Sequence, residues 1–231
     1  MRRLLLTLAL AGCARQQHVQ VAAAASLQDA LREIGKNYQQ LTGEKVEFVF
    51  GGSNVLVRQI RAGAPVDVFF SADEKSMDNI ADLVGTRHAL LSNDLVVVST
   101  QPIHDLQQVQ RIALGDPNAV PAGVYAREYF EQVGMWEALK SKVIPMEDVR
   151  AALAAADSGK VDAAVVYRTD ALLAKKARVV MTLKGPAIRY PVAVLRTAPH
   201  RDAAQRFVNY LTSPAAAAVF RKFDFVVLTS S

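Results

Sequence analysis

Residues 143–167 read V-I-P-M-E-D-V-R-A-A-L-A-A-A-D-S-G-K-V-D-A-A-V-V-Y. Val143-Ile144 is a brief apolar strand, and Asp148 stands where a helix N-cap belongs. The alanine-rich run after it favours helix to about Asp157, and Gly159 lies just past its end, where a left-handed stop needs glycine. Ala163 to Tyr167 is a short unbroken apolar run, which predicts a strand covered on both faces. Strand, helix, strand in this order is the repeating unit of a parallel sheet. The same alternation continues in both directions. Upstream, Arg111 to Leu114 predicts a strand and Gly115-Asp116-Pro117 a turn. A helix then follows Pro121, carrying Tyr125, Tyr129, Phe130 and Val133 and ending at Gly134. Further upstream are strands at 18–25, Val46 to Phe50, Val66 to Phe70 and Leu95 to Ser99. Leu27, Leu31, Ile34, Tyr38 and Leu41 recur at helical spacing, with Ser26 and Asp29 as a capping pattern and Gly43 as the stop. Val55, Leu56 and Ile60 mark a second helix between Gly51-Gly52-Ser53 and Gly63, and Asp73 is expected to cap a third. Downstream, Val179 to Leu183 and Tyr190 to Leu195 predict strands, and two helices finish the chain, the second opening on Ser213-Pro214. The whole reads as α/β, with mostly parallel sheets flanked by helices.

Composition agrees. Of 231 residues, 51% are hydrophobic and 21% charged, enough apolar material for a core and too little net charge for disorder. The 27 basic and 22 acidic residues leave a net charge of +5, but they are interleaved, which argues for a solvated surface and against nucleic-acid binding. A single cysteine, Cys13, excludes an internal disulfide or a cysteine-rich zinc site, and His18, His88, His104 and His200 are scattered. Residues 1–13, M-R-R-L-L-L-T-L-A-L-A-G-C, carry two arginines and then a short apolar stretch. That is too short to span a bilayer and has the form of an export signal. Its ending, L-A-G-C, resembles the bacterial lipobox, in which the cysteine becomes the lipidated first residue. Residues 1–13 are therefore read as a signal peptide with a lipobox, Cys13 as a lipidation site, and the body of the chain as exported.

In open α/β sheets, ligands bind beyond the carboxyl ends of strands, where helix N-termini offer free N–H groups and a positive dipole end suited to an anion. The strand-to-helix turns here carry Ser26, Gly52-Ser53, Ala122-Gly123 and Asp148-Val149. Tyr167 ends its strand and delivers a phenol to the sheet edge, for a ligand or for a backbone carbonyl. Asp73, Asp78 and Asp170 are candidates for an acid–base pair, which capping and surface roles explain equally well. No nucleophile-elbow, P-loop or dinucleotide glycine motif is present, so no enzyme activity is expected.

Several of these segments resemble the molybdate-binding protein (ModA) family of bacterial ABC importers. They are A-A-A-S-L (Ala23–Leu27), G-S-N-V-L-V-R-Q-I-R-A-G-A-P-V-D-V-F-F-S-A-D (Gly52–Asp73) and L-G-D-P-N-A-V-P-A-G-V-Y-A (Leu114–Ala126). E-D-V-R-A-A-L (Glu147–Leu153), V-V-Y-R-T-D-A (Val165–Ala171) and Y-P-V-A-V (Tyr190–Val194) complete the set. The resemblance implies a two-lobe type II periplasmic-binding-protein fold, with an N-lobe of residues 19–93 plus 195–231 and a C-lobe of residues 94–194. It implies a molybdate or tungstate ligand held in the cleft by Ser26, Ser53, Ala122, Val149 and Tyr167, with no other cofactor and no metal except through the molybdate oxygens. Sulfate or another tetrahedral oxyanion is the alternative ligand, and an α/β enzyme is the remoter alternative function. The implied partners are an importer permease and its ATPase, met by a monomer whose only link to the membrane is a lipid anchor. Two departures stand out. The serine-rich turn common in relatives is Gly51-Gly52-Ser53-Asn54, and a glycine expected near the C-terminus is Asp224.

Overall fold

Over residues 18–228, the part of the chain that the computed structural model describes, the alternation becomes nine strands joined by helices. In order these are β1 (Val19–Ala24), α1 (Gln28–Thr42), β2 (Val46–Gly51), α2 (Ser53–Arg61), β3 (Val68–Phe70), α3 (Glu74–Asp78) and β4 (Val84–Ser99). Then come β5 (Ile112–Gly115), α4 (Pro121–Gln132), α5 (Trp136–Leu139), β6 (Val143–Met146), α6 (Val149–Asp157) and β7 (Ala163–Tyr167). The chain continues through α7 (Arg168–Ala171), β8 (Arg178–Leu195), α8 (Arg201–Leu211), α9 (Pro214–Lys222) and β9 (Val226–Val227). Cys13 and the signal segment lie outside the described residues.

The strands join in the order β2-β1-β3-β8-β4-β7-β5-β6, with β9 on β4. The outer triplets are parallel, as the alternation predicts: β1 pairs with β2 and β3, and β5 with β6 and β7. Between them β8 and β4 run antiparallel to each other and to the strand on either side. Both middle strands are long and serve both triplets. Residues 84–93 of β4 lie against 188–195 of β8, and 95–99 against 178–183, with a register shift between Asn93 and Leu95. The result is two lobes strung on two shared strands.

Strand direction explains where the two lobes meet. The carboxyl end of β3, Phe70, pairs with Val192, the end of the pairing nearest the middle of β8. The carboxyl end of β7, Tyr167, pairs with Leu95, next to the register shift in β4. The two triplets thus run toward the crossing point from opposite sides, and their carboxyl ends and helix N-termini face each other across it.

Most helices fall where the apolar spacing put them. In α1, Leu31, Ile34 and Tyr38 are buried, and Gly43 ends the helix at φ 75°. Leu41, on the same predicted stripe, is instead exposed, because the last turn of α1 runs past the core. Asp148 accepts from the N–H groups of Arg150 and Ala151, and Ser213 from that of Ala216, so both caps form. Asp224 sits at φ 63°, in the left-handed position where relatives are expected to carry glycine.

Four readings change. Ser26 does not cap α1: it lies in a tight turn, Ala25–Leu27, and Gln28 begins the helix. Asp73 precedes α3 without a capping bond from its side chain, and α3 is only five residues long. The strand expected at Leu95 starts at Val84. The two strands expected at 179–183 and 190–195 are one, β8.

Candidate functional site

One cleft lies where the opposed carboxyl ends meet. It encloses about 220 Å³, mouth included, and is lined by Ser26, Ser53, Ala72, Ala122, Val149 and Tyr167, among others. A cleft this small suits a small ion rather than a drug-sized ligand. The structure brings all five sequence-derived positions to this one place.

Each arrives by its own local logic. β1 ends at Ala24, and the turn after it presents Ser26, 3% exposed. β2 ends at Gly51 and Ser53 is the first residue of α2, 1% exposed. Ala122 is the second residue of α4, whose start is packed onto the end of β5. There a Cβ on Gly123 would lie 1.8 Å from the Gly115 carbonyl oxygen, so only glycine permits the approach. Val149 opens α6. Asp148 takes the next two N–H groups of that turn, which leaves the Val149 N–H as the one it offers to a ligand. The Asp148 carboxylate also borders the cleft, but its bonds are to these helix amides.

Tyr167 is 1% exposed, and its hydroxyl has no hydrogen-bond partner among the described residues. The backbone-carbonyl alternative for this phenol is therefore excluded. Burial pushes its pKa well above the usual range, so the group is a neutral donor. An unpaired buried hydroxyl costs ~1–3 kcal/mol, which an acceptor in the cleft would restore. The Ala72 N–H donates to Ser53 Oγ at 3.1 Å, so the Ser53 proton is free to point at a ligand. Among the described residues, no lysine or arginine lines the cleft. The chemistry on offer is hydroxyl and amide donation with helix dipoles, directed at an anion.

The three candidate carboxylates do not form an acid–base pair. Asp73 accepts from the Ser71 hydroxyl at 3.0 Å, and burial raises its pKa. Asp78 pairs with Arg87 on the surface. Asp170 is fully buried against Arg150 Nε at 2.5 Å, where burial pushes its carboxyl up to about 7 against the pull of the guanidinium. Arg150 then reaches from α6 to the other side of the molecule, beside the cleft. One of its terminal nitrogens lies 2.9 Å from Asp29 Oδ2 on α1 and 3.3 Å from the Ser26 carbonyl.

Sequence reasoning missed Ala72, Arg150, Asn93 and Tyr190. Ala72 and Arg150 stand inside the quoted motifs, S-A-D and E-D-V-R, and Tyr190 opens Y-P-V-A-V. Asn93 opens the extended segment Asn93–Ser99, and nothing in that segment marks its side chain as part of a site.

Two lobes on two shared strands, closing on an anion-sized cleft at the ends of parallel strands, define a periplasmic-type binding protein. The profile of the bacterial extracellular solute-binding protein family matches residues 19–226. The molybdate-binding protein ModA of Escherichia coli is 37% identical over 96% of this chain and 95% of its own. ModA of Haemophilus influenzae is 31% identical over 90% and 89%. The solved structure of the Azotobacter vinelandii periplasmic molybdate-binding protein superposes with a TM-score of 0.82 at 23% identity, over 91% of this chain and all of that one. The chain belongs to the bacterial extracellular solute-binding protein family and, within it, to the molybdate-binding protein (ModA) family.

Proposed function

We propose that the chain binds molybdate, and tungstate with it, outside the cytoplasm and delivers it to the permease and ATPase of an ABC importer. The observation that carries this is the orphaned Tyr167 hydroxyl, buried in a cleft built of helix N-termini and serine hydroxyls without a cation. Ser26, Ser53 and Tyr167 supply hydroxyls, and the turns at Ala122 and Val149 supply backbone N–H groups. Each charge-assisted bond contributes ~1.5–3 kcal/mol net, and five of them, less the ordering cost, support about −8 kcal/mol, which is micromolar binding. A lining rich in donors disfavours hydrogen phosphate, whose O–H finds only the Asp148 carboxylate, already bonded to two helix amides, as an acceptor. Sulfate has the same charge and acceptors, so its exclusion rests on the longer metal–oxygen bonds of molybdate filling the cleft. The names of the relatives support molybdate over sulfate.

The lobes hinge on β4 and β8. The pairing supports a crossing at Asn93–Leu95 in β4 and at 184–187 in β8, because 188–195 lies beside β3 and the first half of β4. The ligand would touch both lobes and favour the closed form.

The test is a thermal melt with each anion at 100 times the molybdate Kd. Ligand linkage gives ~2.7 kcal/mol, a rise of roughly 5–10 °C for a chain of this size. Molybdate and tungstate should produce it and sulfate should not. An equal rise with sulfate would move the assignment to a general oxyanion receptor.

A further inference from the structure

Behind Ser26 lies a chain of polar groups that runs through both hinge strands, and its direction can be read. Asn93 on β4 is 5% exposed, and its Oδ1 accepts from the Asp94 N–H at 2.9 Å. That bond fixes the amide, so Nδ2 faces the other way and its two protons go to Thr169 Oγ1 at 2.9 Å and Tyr190 Oη at 3.2 Å. Tyr190, on β8, is fully buried. Having accepted from Asn93, it has its own proton to give, and Ser26 Oγ stands 3.2 Å away. Ser26 Oγ, having accepted in turn, has its proton left for the cleft.

We propose that Asn93 and Tyr190 are positioning residues that fix Ser26 as a donor, and so set the preference of the site for a fully deprotonated oxyanion. The proposal rests on the oxyanion-binding reading above and deepens it. Alone, a serine hydroxyl rotates and serves as donor or acceptor alike. With one lone pair taken by Tyr190, Ser26 is turned to donate into the cleft, as Ser53 is with one lone pair taken by the Ala72 N–H. A P–O–H group then meets donors at both serines, whereas molybdate or sulfate meets partners.

The experiment measures dissociation constants for molybdate, sulfate and hydrogen phosphate at one pH, the last by displacement, on wild type and two variants, with the anion-free melting temperature alongside. Tyr190→Phe keeps the ring that packs edge-on to Tyr167 and Phe225 and removes the hydroxyl. Ser26 then turns either way, and the preference for molybdate over hydrogen phosphate should fall about tenfold. Asn93→Asp keeps the shape but accepts from Tyr190. The relay reverses, Ser26 donates backwards, and a lone pair faces the cleft. The added charge weakens all three dianions alike, so the ratio again reads the relay, and it should shift further toward hydrogen phosphate. A merely structural role lowers the melting temperature, or weakens every anion equally, and leaves the ratio untouched. An unchanged ratio in both variants overturns the proposal. If wild type prefers sulfate to molybdate, the ligand assignment fails and the sulfate-to-phosphate ratio still tests the relay. If it binds none of the three, both fail.

Discussion

The site turns on single atoms, and Tyr167 Oη is the clearest of them. Its strand, A-A-V-V-Y, is legible from the sequence because five apolar residues between turn signals have few other readings. That its hydroxyl lacks a protein partner is not legible, because it depends on what the rest of the fold brings within reach. Tyr167→Phe removes one donor and keeps the packing. A dianion then loses one partner in a dry cleft, at ~1–3 kcal/mol, or roughly a 5- to 150-fold weaker Kd. Stability without anion should not fall, since the hydroxyl bonds to nothing there. Titration and a melt of the same variant check both, and an unchanged molybdate Kd would remove Tyr167 from the site. Arg150 shows the limit of reading residues singly. It is a helix residue by sequence, yet it balances the buried Asp170 and bridges to Asp29 in the other lobe, 121 positions away.

Elements were legible where sequence signals agreed and lost where they conflicted. α6 and β7 follow from Asp148, Gly159 and an apolar run. β4 was half missed because Val84–Asn93 mixes Gly85, Arg87, His88, Ser92 and Asn93 with its apolar residues, which suits a strand serving two lobes but shows no clean alternation. The sequence reads as two strands because Lys184-Gly185-Pro186 has the composition of a turn; in the fold these residues join the half of β8 that pairs with 84–93 of β4 to the half that pairs with 95–99. The turn before α2 carries a further consequence. Gly52 has φ −61° and ψ 134°, which alanine adopts freely, but a Cβ there would come 2.9 Å from the Glu147 carbonyl oxygen of the opposite lobe. Gly52 is buried, so Gly52→Ala should force the two lips apart and lower the melting temperature of any state in which they touch, since overpacking costs ~1–3 kcal/mol. Closing the cleft should become harder, with the molybdate Kd raised about tenfold or more, because overpacking costs ~1–3 kcal/mol. A Kd equal to wild type would mean that the lips do not meet in the bound state.

At the scale of the molecule, two parallel triplets aim their carboxyl ends at one crossing point, and a ligand held by both favours closure. Arg150 adds a cross-lobe tie to Asp29 from its place against the buried Asp170. Membrane anchoring is a separate expectation that rests on L-A-G-C and Cys13. In a bacterial host, Cys13→Ser should abolish fatty-acid labelling and release the protein from membranes; unchanged fractionation would mean that Cys13 carries no anchor. The central claim is that this cleft selects molybdate by donors and size. Calorimetric titration of the purified chain with molybdate, sulfate and hydrogen phosphate tests it most directly. The account predicts saturable one-to-one binding of molybdate at micromolar Kd or tighter, with sulfate and hydrogen phosphate weaker by about 100-fold or more, ~2.7 kcal/mol. Absent molybdate binding, or sulfate bound as tightly, would contradict it.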